Sequence, residues 1–408
     1  MVLWIDVILL SIVFLVIYTL VLYYLLLFES RKKLYKKSTL KKLPRVSLVI
    51  PAYNERKYII KSLERILKIN YPKEKLEIII VDDGSTDGTF EIVKKFVDTK
   101  KLKFIKIFKN KHSGKAGSLN FGVKRAKHDF VAVVDADSHL TRNTLINAMK
   151  YFDSEDVASV TTRILVEGKK TIFERWQDIE FKIIALMRKI TESLNLISVT
   201  PGPLSIYKKN ILLKVGLFDK KNLTEDIEIA WRLLNEGYRI NMAYDSLVYT
   251  PYPSKFSKWF RQRLRWSIGW MQTLKKYSVY IFRNHPVGTY LLPMNLASLV
   301  FQMVILGLFL CLSVNWVVSF LFYLKDTIIL GAPIIFRIPF IPDIFTFYVL
   351  LILVLSIFIA IYTLRQYKQR VGILDFISFL IVYVYLFIPV TIYSLIKILT
   401  GKYSWFTK

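Results

Sequence analysis

Residues Val7–Phe28 carry no charged side chain. As a helix, a run of that length covers roughly 33 Å, about the thickness of a bilayer's hydrocarbon core. A second uncharged run follows His285 and continues to Leu324. It is too long for one upright span, so Pro293 is expected to divide an interfacial entry from a helix that ends near Leu324. Two further spans are expected at Ile344–Leu364 and Phe376–Ile396. The proline-rich stretch between Gly331 and Pro342 is too broken for a span and is expected at the interface. Apolar surplus is thus gathered at the two ends of the chain, and the middle must fold in water.

The charges orient this arrangement. The chain holds 59 Lys+Arg against 31 Asp+Glu, a net charge of +28. Such a balance invites nucleic acid, an anionic membrane surface or a phosphate-bearing substrate. Directly after the first apolar run come Arg31, Lys32, Lys33, Lys36, Lys37, Lys41, Lys42 and Arg45. No small-residue cleavage site precedes them, so residues 1–28 read as a retained anchor rather than a signal peptide. Residues 29–45 are then a basic linker. The basic segments fall on one side of a membrane if one span precedes the middle and about three follow it, within residues 286–400. The expectation is a multi-pass protein of the plasma membrane with its middle in the cytoplasm. Positive loops absorb part of the charge, and no base-stacking platform or recognition helix calls for nucleic acid. The one cysteine, Cys311, allows neither an intrachain disulfide nor a cysteine-based metal site.

Residues 46–253 read as an α/β domain. Val46–Pro51, Leu76–Val81, Leu102–Phe108 and Phe130–Val134 are strand-like. Glu55–Ile69, Phe90–Val97 and a segment from about Ala116 are helical. Strands alternating with helices predict a mostly parallel, Rossmann-like sheet with helices on both faces. In such sheets ligands bind beyond the carboxyl ends of the strands. Here those ends carry Tyr53 with Glu55, Asp82 with Asp83, and Asp135 with Asp137.

Each of these motifs has a plain structural alternative. Asp135-Ala136-Asp137 could cap a helix near Thr141. At the end of an apolar strand, alternation instead puts both carboxylates on one face, where they suit a hard divalent cation with open positions for phosphate oxygens. Asp82-Asp83-Gly84-Ser85 could be a turn, or could offer carboxylates to a nucleoside. Lys115, flanked by small residues at a helix start, could be solvated or could meet a phosphate. The spacing is not that of a P-loop. Thr224-Glu225-Asp226 starts a helix, where acids favour the dipole. One of them could equally serve as a general base.

Residues 254–285 read as amphipathic and interfacial. On a helix over Ser254–Lys276, Phe256, Trp259, Phe260, Leu264, Met271 and Leu274 share one face. Gln262, Arg265, Trp266 and Gly269 share the opposite one. The apolar face is expected on the membrane, with the opposite face turned toward the domain. Arg265 suits a diphosphate and Trp266 a sugar ring.

Taken in order, Pro51-Ala52-Tyr53-Asn54-Glu55, Val81-Asp82-Asp83-Gly84-Ser85, Gly114-Lys115-Ala116-Gly117-Ser118-Leu119-Asn120, Asp135-Ala136-Asp137, Thr224-Glu225-Asp226 and Gln262-x-x-Arg265-Trp266 resemble the inverting family 2 glycosyltransferases. The likeness is to the membrane synthases of cellulose, chitin, hyaluronan and poly-N-acetylglucosamine. It implies a GT-A domain, a UDP-sugar donor, a glycan or lipid-linked acceptor, and Mg²⁺ or Mn²⁺ as cofactor. It also implies roles for single residues. Tyr53, Glu55, Asp82 and Asp83 would hold the nucleoside. Lys115 and Asp135 would contact the diphosphate, and Asp137, with Asp135, the metal. Asp226 would be the base. Gln262 and Arg265 would close over the diphosphate. Trp266, Gly202 and Glu225 would face the acceptor. The last motif separates processive synthases from single-addition transferases. Residues Thr200–Leu204 differ from the cellulose type, which leaves the acceptor open. The alternatives are single addition to a lipid acceptor, and a transporter with a nucleotide-sensing domain.

Overall fold

The computed structural model describes residues 2–30, 42–283, 285–330, 344–365 and 371–401. Helix α1 (Val2–Ser30) comes first. The central region then runs β1 (Val46–Ala52), α2 (Ile59–Leu67), β2 (Leu76–Asp82), α3 (Thr89–Thr99), β3 (Ile105–Lys109), α4 (Gly114–Arg125), β4 (Phe130–Val133), β5 (His139–Leu140) and α5 (Thr144–Met149). It continues with β6 (Val157–Glu167), α6 (Ile172–Thr191), β7 (Ser205–Lys208), α7 (Lys209–Lys214), α8 (Glu225–Asn235), β8 (Arg239–Pro251) and α9 (Phe256–Tyr277). Helices α10 (Leu292–Leu330), α11 (Ile344–Arg365), α12 (Ile373–Ser378) and α13 (Phe387–Thr400) follow. The chain divides into two compact units, residues 1–25 with 293–362, and residues 26–292 with 363–408.

The larger unit is built on one eight-stranded sheet in the order β3-β2-β1-β4-β7-β6-β8-β5. Strands β3, β2, β1 and β4 are mutually parallel. Strands β1 and β2 read Val-Ser-Leu-Val-Ile-Pro-Ala and Leu-Glu-Ile-Ile-Ile-Val-Asp, nearly continuous apolar runs, because central parallel strands are covered on both faces. Their core includes Leu48, Ile50, Ile78 and Ile80, with Leu63 and Ile66 from α2. Strand β7 runs antiparallel to both of its neighbours, β4 and β6. That reversal sets the start of β7 beside the carboxyl end of β4, with Ser205 opposite Val133. The sheet is the mixed GT-A-like kind, parallel in its first half and mixed in its second.

Element boundaries differ from the sequence expectation where side chains intervene. Helix α2 begins at Ile59 rather than Glu55, because residues 54–56 are tied into the loop after β2. Asn54 N–H donates to Ser85 Oγ at 2.9 Å, and Arg56 N–H to Asp87 Oδ2 at 3.1 Å. Helix α5 begins at Thr144, not near Thr141, since the Thr144 hydroxyl accepts from Thr141 N–H at 2.9 Å. Strand β4 stops at Val133, so Asp135-Ala136-Asp137 lies in a turn, where strand alternation no longer decides the side-chain direction. Ser138 N–H closes that turn on Asp135 O at 3.0 Å.

The apolar C-terminal segments also depart in detail. Helix α10 runs on to Leu330 through Lys325 and Asp326, because charged residues remove neither a backbone donor nor a helical conformation. The last expected span is helical over residues 373–400 but changes pitch, with a π turn at Phe379–Tyr383 and a 3-10 turn at Val384–Leu386. Pro389, just inside α13, lacks an N–H and crowds the carbonyl four residues earlier, which accounts for the irregular turns before it. The expected interfacial stretch at 331–342 lies outside the described residues, apart from its approach at the end of α10. Within the smaller unit, Tyr24 of α1 donates to Leu355 O of α11 at 2.8 Å.

The apolar face of α9 is the clearest correction. The sequence pattern alone places it on the membrane, but Trp259, Leu264, Met271 and Leu274 are buried within the protein. Trp259 packs with Trp176 and Ile179 of α6 and with Phe379, Tyr383 and Val390 of the C-terminal helices. Leu264 and Ile268 pack on Leu223 and Ile398. An apolar stripe states only that something apolar covers it. Here the cover is the last helical segment of the same chain, and Phe256 alone of that face stays widely exposed.

Candidate active site

The carboxyl edge of the sheet carries two clusters. The first forms where β1 and β2 end. Asp82 and Asp83 are both buried. The Asp83 carboxylate is taken up by the start of α4. It accepts from Ser113 N–H and Gly114 N–H at 2.9 Å each, and from Ser118 Oγ at 2.7 Å. Its Oδ2 also lies 3.0 Å from His112 Nδ1. This carboxylate therefore fixes α4, and so Lys115, in addition to standing at the expected nucleoside position. Asp82 Oδ2 accepts from Ser85 N–H at 3.3 Å, while its Oδ1 is buried with no partner. A buried orphaned carboxylate oxygen is an acceptor held ready for a donor group. Tyr53 is half-buried, with its ring 4.7 Å from the His112 imidazole. Glu55 is buried beside them.

The second cluster forms where β4, the start of β7 and the start of α8 meet. Lys115 Nζ lies 2.7 Å from Asp135 Oδ1 and 3.1 Å from Glu225 Oε1. Burial would lower the Lys115 ammonium, but Asp135, Glu225 and Asp226 together outweigh it and hold the charge above the ordinary lysine range. The expected phosphate lysine thus stands inside a carboxylate cage. Gly202 closes the cluster from the loop before β7. Asp135 N–H donates to Gly202 O at 3.1 Å.

Asp226 opens α8. Its backbone carbonyl accepts from Thr200 N–H at 3.1 Å and Thr200 Oγ1 at 2.9 Å, and its own Oδ1 accepts from Ile227 N–H at 3.0 Å. Thr224 makes no side-chain cap, and its hydroxyl is spent on Asn222 Oδ1 at 3.1 Å. Burial pushes the Asp226 carboxyl up from 3.8 to about 6, and neighbouring Glu225 pushes the same way. Lys115 and Arg265 oppose the rise.

Helix α9 seals this cluster. Arg265 Nη1 donates to Leu223 O at 2.9 Å, and Asn222 Nδ2 donates to Thr273 Oγ1 at 2.9 Å. Gly269 makes the approach possible, since a Cβ there would lie 2.8 Å from Thr224 N. The Gln262 carbonyl oxygen is buried without a partner. Trp266 is partly buried against Phe181 and Tyr252, beside Ile164 and Val166. The Tyr252 phenol is raised first by burial, against Arg263, and further by the charges of Glu180, Asp137 and Asp135.

The structure therefore joins Lys115, Asp135, Gly202, Glu225, Asp226 and Arg265 in one cluster, with Asp137 in the same turn as Asp135 and Trp266 one residue beyond Arg265 on α9. Tyr53, Glu55, Asp82 and Asp83 form a neighbouring group, linked to it through α4. Several residues of the site had no signal in the motifs. The His112 ring packs at a tilt against Tyr53, and Tyr252 and Phe181 pack together with ring centres 4.3 Å apart. Half-buried Arg188 of α6 is pulled by burial down to about 10, against the opposing fields of Asp226 and Tyr252. It follows Phe181 by seven residues, two turns along the same helix face, and that periodicity could have placed it.

The chain matches a family model described as glycosyltransferase like family 2 over residues 44–269. Poly-β-1,6-N-acetyl-D-glucosamine synthase of Staphylococcus aureus strain COL is 29% identical over 231 residues, 56% of this chain and 55% of that protein. Probable glycosyltransferase YdaM of Bacillus subtilis strain 168 is 30% identical over 254 residues, 60% of each. The chain thus spans a little over half the length of the curated relatives it matches. Among solved structures, mannosyltransferase PcManGT from Pyrobaculum calidifontis, in complex with GDP-Man and Mn²⁺, aligns with a TM-score of 0.61 at 21% identity. That alignment covers 89% of this chain and all of the other, and it is a likeness of fold.

Proposed function

Because the chain belongs to the family 2 glycosyltransferases, we propose that it is a membrane-embedded, inverting enzyme that adds sugars from a UDP-sugar to a growing glycan. The observation that carries this reading is the juxtaposition of Asp226, raised to about 6, with the cations Lys115 and Arg265 in one cluster.

In this reading Asp226 takes the proton of an acceptor hydroxyl as that oxygen bonds to the donor's anomeric carbon. The bond from that carbon to the diphosphate breaks, and its electron pair leaves with UDP. Attack opposite the leaving group inverts the centre, so an α-linked donor gives a β-linked product. A carboxylate near 6 is a stronger base than an ordinary aspartate and is still mostly ionised at neutral pH. Lys115 and Arg265 offset charge developing on the diphosphate. The orphaned Asp82 oxygen and the Tyr53–His112 pair are the expected seat of the nucleoside. Trp266 and Tyr252 offer an aromatic wall to the acceptor sugar, with Gly202 and Glu225 beside it.

Asp135 and Asp137 are hard oxygen donors at a turn, which fits Mg²⁺ or Mn²⁺. No set of three His, Cys, Asp or Glu side chains among the described residues forms a full metal cage. Asp135 and Asp137 would be the residues that hold such a cation. When bound, it supplies positive charge to the leaving group.

Two helical segments among the described residues, Val13–Ser30 and Ile373–Thr400, are long and apolar enough to cross a membrane. Together with the basic linker at 29–45 they support embedding, with the sheet domain on the cytoplasmic side. The poly-N-acetylglucosamine synthases among the relatives make UDP-N-acetylglucosamine the first donor to try.

The test is to purify the protein in detergent and supply labelled UDP-N-acetylglucosamine, UDP-glucose, UDP-glucuronate or GDP-mannose with Mg²⁺ or Mn²⁺. Long chains from a UDP-sugar are expected. A single sugar on an organic-extractable lipid would overturn the polymerising reading in favour of a lipid-acceptor transferase.

A further inference from the structure

Two arginines stand two positions apart in Gln262-Arg263-Leu264-Arg265-Trp266, and they face different surroundings. Arg265 reaches the carbonyl before Thr224. Arg263 is only 3% exposed and turns toward α6 and the C-terminal helices. Its Nη2 donates to Glu180 Oε2 at 2.6 Å and to the Tyr383 hydroxyl oxygen at 3.2 Å. Tyr383 in turn donates to Glu180 Oε2 at 2.7 Å, and its oxygen also accepts from Trp259 Nε1 at 2.9 Å. The Arg263 guanidinium carbon sits 4.4 Å from the centre of the Trp266 ring. Contacts thus run unbroken from the apolar segment at 373–400, through one hydroxyl and one ion pair, to the indole that ends the motif.

Stability alone does not explain such a cluster. Burying an arginine and a glutamate is costly, and apolar replacements of similar volume are often neutral or stabilising. Arg263 Nε is itself buried without a partner. What the planar guanidinium does provide is a flat cation anchored at Nη2 by both the Glu180 carboxylate and the Tyr383 hydroxyl. A cation over a tryptophan face is attracted by the ring's quadrupole and so favours one orientation of its plane.

We propose that Arg263, Glu180 and Tyr383 are positioning residues that set the plane of the Trp266 indole, and thereby the seat of the acceptor sugar, from the C-terminal apolar helices. This rests on the proposed acceptor role of Trp266. It makes the last helical segment part of acceptor recognition as well as a membrane anchor.

The test uses the full-length detergent-purified enzyme and two variants, Tyr383→Phe and the double substitution Arg263→Met with Glu180→Leu. The first removes one hydroxyl. The second replaces the ion pair with apolar groups, and by the argument above it folds. Donor KM and melting temperature are expected to stay near wild type. Acceptor KM is expected to rise at least about fivefold, with shorter products where chains are made. Folded variants whose acceptor KM and product length stay within about twofold of wild type would overturn the proposal. So would a parallel rise in donor and acceptor KM, since that reports general loosening of the cleft. If the double variant fails to fold, Tyr383→Phe decides alone. Acceptor KM is read on whichever acceptor the wild type uses. A wild type that adds a single sugar therefore sinks the polymerising reading while still judging the cluster.

Discussion

Gly202 lies so close to Asp135 that a Cβ on the glycine would stand 2.8 Å from both carboxylate oxygens. The same atom would also clash with Lys115 Nζ. These are the ends of side chains, which can swing aside at modest cost to the fold. Gly202→Ala should therefore leave the melting temperature within a few degrees of wild type while breaking the Lys115–Asp135 pair. We expect kcat/KM to fall by roughly 10–100-fold, since displacing reacting groups by about 1 Å can cost two orders of magnitude. Steady-state kinetics beside thermal melts checks both halves of that expectation.

Asp226→Asn removes the base but keeps size and hydrogen-bonding capacity. Transfer should drop by about 10²–10⁴-fold, the usual contribution of a positioned general base. Donor affinity, measured by UDP binding calorimetry, should change little. Turnover comparable to wild type would remove Asp226 from the mechanism.

The elevated Asp226 carboxyl has consequences in pH. Its folded value near 6 lies above the ordinary 3.8, so between those values the folded state holds a proton that the unfolded state has lost. Stability from this group is therefore greatest at low pH and declines as pH rises through about 6. Activity runs the other way, because the base must be ionised. The kcat/KM profile should show an acid limb with its midpoint near 6, absent from the residual activity of Asp226→Asn. At pH 7.5 that variant should melt no lower than wild type. A clearly lower melting temperature would mean that the charged carboxylate is not a strained group.

Asp83 serves the fold as well as the donor. Asp83→Ala leaves Ser113 N–H, Gly114 N–H and the Ser118 hydroxyl without their acceptor. Lost partners of this kind cost roughly 1–3 kcal/mol. The variant should melt several degrees lower and also lose donor affinity, since α4 carries Lys115. Unchanged stability would show that water replaces the carboxylate at the start of α4.

Much of this was legible in the residues. Nearly continuous apolar runs at 46–51 and 76–81, alternating with helical segments, read as buried parallel strands, and their acidic ends meet at one sheet edge because parallel strands end on the same side. The motif order from Tyr53 to Trp266 is legible through its resemblance to the family 2 glycosyltransferases, and the uncharged run at Val7–Phe28 through local composition. Three other features depended on tertiary structure. Gly202 meets Asp135 because β7 is reversed, and strand direction is a property of pairing rather than of any local pattern. Asp83 spends its oxygens on α4, which no spacing within Asp82-Asp83-Gly84-Ser85 announces. The apolar stripe of α9 reads the same whether lipid or protein covers it, since hydrophobic burial is non-directional. The sequence by itself determined which groups could do chemistry and roughly where the chain turns apolar. Only the packing of α6, α9 and the final helices decided that Arg263 is buried beneath Trp266, because an ion pair to Glu180 and a hydrogen bond to Tyr383, 83 and 120 positions away, are specified by the fold alone.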